Sequence, residues 1–145
     1  MQSTLKDGSE RKGLMISVIE DDHSVREAIE TLLQSAGMQC QSFGSAEQFL
    51  AEFIPCQEDT IVLDLNLPGI SGCDLLKKID AQTNKFRIIV TTAFDDPVSR
   101  ELCRQYGVLA YLRKPVDGVA LIDIIRYNLP MSTIDKNKPY NIKIS

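Results

Sequence analysis

Three acids in a row, Glu20-Asp21-Asp22, follow directly on the apolar run from Leu14 to Ile19, and a fourth, Asp64, sits inside another, Ile61 to Leu65. Thr92 follows the run Phe86 to Val90, and Lys114 follows Val108 to Leu112. An acid inside an apolar segment is rarely free of purpose, because burying its charge is costly without a partner. Glu20, Asp21 and Asp64 held close would repel one another, and one would be driven to protonate unless a cation sat among them. Magnesium suits such a set: it favours octahedral oxygen coordination by a couple of carboxylates, several waters and a phosphate. The cluster therefore implies Mg²⁺, with Mn²⁺ as a substitute, and a metal held by so few protein ligands implies phosphate chemistry. Lys114 would add a second positive charge there, and Thr92 a hydroxyl able to bond a phosphoryl oxygen.

The elements that must position these residues are legible as an alternation. After the polar, glycine-containing residues 1–13, read as a flexible lead-in, five short apolar runs alternate with stretches of helical period over residues 14–129. Val25, Ala28, Ile29, Leu32, Leu33 and Ala36 recur at helical spacing before Gly37. Met38 to Phe43 alternates as an edge strand does. Ser45-Ala-Glu-Gln48 is a capping box opening a helix that buries Ala46, Phe49, Leu50 and Phe53. A third helix runs from about Gly72 to Ile79. Asp96-Pro97 supplies an N-cap and first-turn proline for a helix ending near Gly107, and Asp117 caps a last helix that Pro130 ends. Residues 130–145 read as a flexible tail or linker stub. Five such pairs predict an α/β fold, a five-stranded parallel doubly wound sheet with helices on both faces. Glu20, Asp21, Asp64, Thr92 and Lys114 then all lie at the carboxyl ends of strands, where open α/β sheets place their ligands. In the flavodoxin-like order 2-1-3-4-5, strands one and three are neighbours, which brings the acids together.

Composition removes other classes. A net charge of −4 argues against a general nucleic-acid surface, and no apolar run approaches a membrane span, so the expected location is the cytoplasm. Cys40, Cys56, Cys73 and Cys103 are spread out, without a Cys-x-x-Cys pair, and with one histidine in the chain they make no zinc site; all four read as reduced, mostly buried hydrophobes. Gly8 and Gly13 have phosphate-loop spacing, but Leu14 and Met15 follow where Lys and Ser/Thr are needed. No G-x-G-x-x-G is present, and a serine or cysteine hydrolase would have only His23 as its base.

The residues also carry a family resemblance. Val18-Ile-Glu-Asp-Asp-His-Ser-Val-Arg26 resembles the first acidic motif of response-regulator receivers, and Val62-Leu-Asp-Leu-Asn-Leu-Pro-Gly-Ile-Ser-Gly72 their phosphorylation-site motif. Val90-Thr-Thr-Ala93 and Tyr111-Leu-Arg-Lys-Pro115 are similar to the hydroxyl and lysine motifs. Four motifs in order, over roughly residues 14–129, are a specific signal. Phe43-Gly-Ser-Ala-Glu-Gln-Phe-Leu50 leans towards the subfamily often fused to a helix-turn-helix output domain. The resemblance implies that Asp64 is the phospho-acceptor, that Glu20 and Asp21 hold the metal together with Asp64, and that the Asn66 backbone carbonyl completes its protein ligands. Thr92 and Lys114 would contact the phosphoryl group, Tyr111 would turn inward on activation, and the Lys114-Pro115 bond would be cis. Two features depart from the commoner pattern: Glu20 stands where many members have Asp, and Phe94 is bulky and apolar beside the site.

The function implied is a signalling switch that accepts a phosphoryl group from a phosphohistidine of a sensor histidine kinase or phosphotransfer protein. It would promote its own phosphorylation and dephosphorylation without being a turnover enzyme. Its output would be a protein target or a phosphorylation-induced dimer, through helix four, strand five and helix five. Two alternatives stand beside this: a degenerate receiver acting as a phosphorylation-independent interaction module, and the receiver part of a DNA-binding transcription regulator. The tail after Pro130 holds no helix-turn-helix period, so specific DNA binding by this chain is not expected. Simpler readings exist for single residues. Asp22 is explained by the dipole of the helix it precedes, Thr91 and Thr92 are both ordinary strand residues, and Lys114 and Tyr111 could be structural. His23 is placed facing solvent, and Val119 and Ile124 on the outside of the last helix, as a dimer face or as scattered surface apolars.

Overall fold

A computed structural model describes residues 15–52, 60–82 and 86–127, with the side chains of 80–82 outside the description. The chain alternates strictly: β1 (Met15–Ile19), α1 (His23–Ser35), β2 (Gln39–Phe43), α2 (Ala46–Glu52), β3 (Thr60–Asp64), α3 (Gly72–Gln82), β4 (Arg87–Thr92), α4 (Pro97–Gln105), β5 (Ala110–Arg113) and α5 (Gly118–Tyr127). All strand pairs are parallel, in the order β2-β1-β3-β4-β5, as expected from the alternation. The expected residues Leu14, Phe53, Cys56, Leu129 and Pro130 lie outside the described residues.

Two apolar layers sandwich the sheet, and strand alternation assigns each residue to one of them. Ile61, Leu63, Ile88, Val90 and Tyr111 face α2, α3 and α4, against Phe49, Leu75, Leu76, Ile79 and Cys103. Ile16, Val18, Val62, Ile89, Ala110 and Leu112 face α1 and α5, against Ile29, Leu33, Leu121, Ile124 and Ile125. β3 is buried along its whole length, as a central parallel strand must be, whereas edge strand β2 is fully buried only at Phe43. Each Leu, Ile or Val side chain taken wholly from water contributes about 1.5–3 kcal/mol, so these two layers dominate the driving force for folding.

Helix starts follow the chemistry read from the sequence. Asp22 and Asp96 adopt extended backbone and accept from the amides of Val25 and Ser99, with Pro97 in the first turn of α4. Asp117 accepts from the Ala120 amide, 3.1 Å away. Ser45 accepts from the Gln48 amide as a capping box requires, but the Gln48 side chain returns to the amide of Gly44, one residue before the expected one. Gly37 and Gly107, at φ +80° and +69°, end α1 and α4 in the left-handed region that favours glycine.

The strand ends differ in detail from the sequence reading: β4 extends to Thr92 and β5 starts at Ala110. Two burial expectations are corrected. Ile124 is not on the outside of α5; it is 0 % exposed, because it falls one turn beyond Ala120 and Leu121 on the inward stripe, while Val119 is 66 % exposed as expected. Of the cysteines described, only Cys103 is fully buried; Cys40 and Cys73 are half-buried, and all three are free thiols. None of the described helices is long and apolar enough to cross a membrane.

Candidate functional site

The carboxyl ends of β1, β3, β4 and β5 meet at one rim of the sheet. Register alone brings Ile19 beside Leu63 and Asp64 beside Thr91. Two residues past the buried end of β1, Asp21 is exposed; Glu20, between, is 2 % exposed, and Asp64 is as deeply enclosed. One ligand oxygen from each of Glu20, Asp21 and Asp64 lies within 4.8 Å of the others. Asp22 stands apart from this group as the cap of α1, in keeping with its simpler reading.

Lys114 answers two of the acids. Its Nζ lies 2.8 Å from Glu20 Oε1 and 3.2 Å from Asp64 Oδ2. Alternation along β5 sets Lys114 on the same side of the sheet as Leu112, and its peptide bond to Pro115 is cis, as expected. The electrostatics of the site reflect burial first and neighbouring charge second. Burial pushes the Glu20 carboxyl above its ordinary value and the nearby Asp64 charge adds to the rise, against hydrogen bonds from Lys114 and the Asp22 amide. Burial alone would depress Lys114, but its bond to Glu20 and the charge of Asp64 outweigh it, and the ammonium is held above its ordinary range. Three carboxyl groups share a single ammonium, a deficit of positive charge among the acids. An all-oxygen donor set with that deficit fits a hard divalent cation such as Mg²⁺ and offers nothing to a softer, thiolate-seeking metal.

Thr92 belongs to the opposite face. It ends β4 on the side of Val90, whose register partner is Tyr111. Thr92 Oγ1 lies 3.0 Å from Asn66 Oδ1 and 2.8 Å from the Phe94 carbonyl, and accepts from the Phe94 amide at 3.1 Å. Asn66 Oδ1 also takes the Ala93 amide at 3.3 Å, and the Asn66 amide bonds Asp64 Oδ1 at 2.9 Å. The sequence singled out Asn66 for its main-chain carbonyl; its side chain, tying the loop after Asp64 to the end of β4, was not anticipated. Tyr111 already lies inside, at 0 % exposure. Its hydroxyl has no partner in hydrogen-bonding geometry, although the Asp95 carboxylate and Asp96 main chain lie near, and burial raises its pKa to about 12. Phe94 is 71 % exposed. His23 faces solvent as expected, its ring between Arg26 and Glu27.

Three further residues shape the site without having been assigned a role from sequence. Arg26 Nη1 donates to the Glu20 carbonyl at 2.7 Å, pinning the acidic turn to α1. Gly72 lets α3 begin against the strand end: a Cβ there would lie 2.5 Å from both the Asp64 carbonyl oxygen and Leu65 Cα. Glu47, on α2, accepts from the Ile70 amide at 3.0 Å. Arg26, Gly72 and Glu47 all stand in quoted motifs, so a signal existed, although none of those motifs assigned them a contact.

Comparison with known proteins supplies the family. Residues 16–126 match the family model of the response regulator receiver domain. The transcriptional regulatory protein FixJ of Azorhizobium caulinodans is 36 % identical over 121 residues, covering 83 % of this chain and 57 % of the relative. The DNA-binding transcriptional regulator NtrC of Salmonella typhimurium is 30 % identical over 136 residues, covering 90 % of this chain and 28 % of the relative. The chain thus spans about half or less of the curated relatives it matches. Among solved structures, a CheY-like response regulator receiver domain protein from Methanospirillum hungatei superimposes with a TM-score of 0.74 at 22 % identity, over 79 % of this chain and 92 % of that one, a likeness of fold. The family match begins in β1 and ends in α5, so it takes in every strand that delivers a residue to the rim, and the chain belongs to the response regulator receiver domain family of two-component systems.

Proposed function

We propose that Asp64 accepts a phosphoryl group from the phosphohistidine of a sensor histidine kinase or phosphotransfer protein, and that the acyl phosphate so formed is the signal. The observation that carries this reading is the setting of Asp64: a carboxylate enclosed at the end of β3, 3.2 Å from the Lys114 ammonium and grouped with Glu20 and Asp21. A carboxylate is a modest nucleophile, but phosphoryl transfer depends on position and charge neutralisation more than on basicity. An Asp64 oxygen attacks phosphorus in line, the phosphorus–nitrogen bond breaks, and the donor imidazole leaves with the electron pair. Glu20 and Asp21, with the Asn66 carbonyl, would hold Mg²⁺ beside Asp64; when bound it supplies positive charge for the phosphoryl oxygens. Lys114 adds its ammonium to the same oxygens. The Thr92 hydroxyl then moves from Asn66 and Phe94 to a phosphoryl oxygen, and the α4–β5–α5 face that Tyr111 underlies changes shape. Exposed Phe94 and Val98, before and within the first turn of α4, give that face apolar area for a partner or a second copy. The chain promotes its own phosphorylation and dephosphorylation and turns over no separate substrate.

A second reading concerns output: this receiver governs a DNA-binding region in a longer regulator. It rests on the FixJ and NtrC relatives, of which the chain spans 57 % and 28 %.

The test is labelling by acetyl phosphate with Mg²⁺, read as intact mass. One added phosphate is expected on the wild type, lost in Asp64→Asn and blocked by EDTA. No adduct, together with no binding of beryllofluoride, would overturn the proposal in favour of a phosphorylation-independent interaction module.

A further inference from the structure

We infer that Glu47 is a positioning residue for the phosphorylation centre: its carboxylate reaches from the first turn of α2 to the main chain at Ile70 and fixes the loop between Asp64 and α3. The inference rests on the reading of Asp64 and its acidic neighbours given above.

The loop from Leu65 to Ser71 has to hold Asn66 in place while making a sharp return into α3. Its ends are tied to β4 and to each other. The Leu65 amide bonds the Thr91 carbonyl at 3.0 Å, the Asn66 side chain bonds Thr92, and the Gly72 amide bonds the Leu65 carbonyl at 3.1 Å. Its middle is different. Pro68 has no amide proton to donate, and the Ile70 amide is held by Glu47 Oε2, 23 residues distant in sequence, at 3.0 Å. Gly69 shows how closely the same oxygen approaches the loop. It sits at φ +72°, and a Cβ there would lie 2.5 Å from Glu47 Oε2, so the carboxylate occupies the space a side chain would fill. The Ile70 amide holds the Glu47 carboxyl below its ordinary value, so the bond is charge-assisted.

The other end of this strut is firm. Ser45 caps the turn that carries Glu47, Gln48 braces Gly44, and the neighbouring Phe43 carbonyl takes the Glu20 amide at 3.1 Å. One corner of the fold, the turn from β2 into α2, therefore grips both halves of the acidic site: the β1 side through Glu20 and the β3 side through Ile70. Outer partners that orient a metal's ligands change affinity by about 10–100-fold when removed; Glu47 is exposed and one residue further out, which puts it at or just below the bottom of that range.

The experiment compares Glu47→Ala, Glu47→Gln and Glu52→Ala with the wild type. Three quantities are read: Mg²⁺ Kd by calorimetry, hydrogen exchange of the Ile70 amide, and the rate of labelling by acetyl phosphate. Glu47→Ala should raise the Mg²⁺ Kd by about 3–10-fold, slow labelling in proportion and speed exchange at Ile70. Glu47→Gln keeps an oxygen that can accept from Ile70 and should stay within about twofold of wild type. Glu52→Ala, which removes an acid from the same helix, should match wild type. An unchanged Mg²⁺ Kd in Glu47→Ala, or a Glu47→Gln as impaired as Glu47→Ala, overturns the inference. If the wild type itself takes no phosphate but the Mg²⁺ order holds, the phosphorylation reading fails and the positioning role stands.

Discussion

Thr92 and Asn66 are joined side chain to side chain, the threonine hydroxyl 3.0 Å from the asparagine amide oxygen. A hydroxyl has one proton, so Asn66 Oδ1 and the Phe94 carbonyl, 2.8 Å away, compete for it. The group that would meet a phosphoryl oxygen is thus held by the loop that leaves Asp64. Thr92→Val keeps the shape of the side chain and removes the proton. It should still be labelled at Asp64, slowed by no more than about 10- to 150-fold, since one hydrogen bond to a charged group is worth about 1.5–3 kcal/mol at most and each 1.36 kcal/mol is tenfold in rate. What it should lose is the response: amide resonances of Ala93 and Phe94 should no longer shift on labelling, while Thr92→Ser should retain the shift. A full response in Thr92→Val would remove the hydroxyl from the switch.

Lys114→Met separates two contributions of the lysine. Without the ammonium, Glu20 and Asp64 face each other buried and uncompensated. Removing one partner of a buried charge pair costs about 3–5 kcal/mol, and Lys114, at 22 % side-chain exposure, should come somewhat under that range. Urea unfolding without metal should show this loss. Added Mg²⁺ should restore most of the stability and bind more tightly than in wild type, because the acids have lost their competing cation. Labelling of Asp64 should nevertheless fall sharply. Weaker Mg²⁺ binding by the variant would mean that Lys114 supports the acids by shaping the site and not by charge.

Much of this site is legible in the sequence because it depends on residue type and strand position. Asp64 is an acid at the end of an apolar run, and Glu20 and Asp21 follow another; parallel order alone brings such ends together. The cap residues Asp22, Asp96 and Asp117 are legible for the same reason, since each acts within its own turn. Side-chain reach across loops is not. The bonds from Asn66 to Thr92 and from Glu47 to Ile70 depend on rotamers and on how closely one loop approaches another, which no period encodes. The misplacing of Ile124 has a related cause: on a helix as apolar as α5, composition does not say where the buried stripe ends, and packing against α1 decides it.

Gly72→Ala tests the close approach of α3 to the strand that carries Asp64. The added methyl would meet backbone at 2.5 Å, and backbone at the Asp64–Leu65 junction has no rotamer through which to yield. Overpacking of this kind costs about 1–3 kcal/mol. The loss should appear in chemical denaturation, and because relief must shift α3 or the Asp64–Leu65 main chain, labelling by acetyl phosphate should slow as well. Gly37→Ala, with open space around its Cβ but φ +80°, is the control: it should lower stability through backbone strain and leave labelling unchanged.

Alkaline pH should unfold the protein chiefly through two groups in the α4 layer. Burial raises Cys103 from its ordinary 9.0 to about 12, and Tyr111 from 10.0 to about 12. A folded-state value above the unfolded one means that the native state keeps its proton where the unfolded state releases it. The stabilisation is therefore complete below pH 9 for Cys103 and below pH 10 for Tyr111, and is lost as pH rises towards about 12. Lys114, also raised, adds to the loss above its ordinary range. Thermal melts should hold steady from neutral pH to about 9 and then fall steeply. Tyr111→Phe should flatten the fall above pH 10 and cost nothing at neutral pH, because it removes a buried hydroxyl without a partner. Cys103→Ala should flatten it from pH 9 upwards, at the expense of roughly 1 kcal/mol of neutral stability for the space left in the core. A Tyr111→Phe curve parallel to wild type throughout would show that the hydroxyl reaches solvent before the protein unfolds, and the α4 face would then have to open on its own.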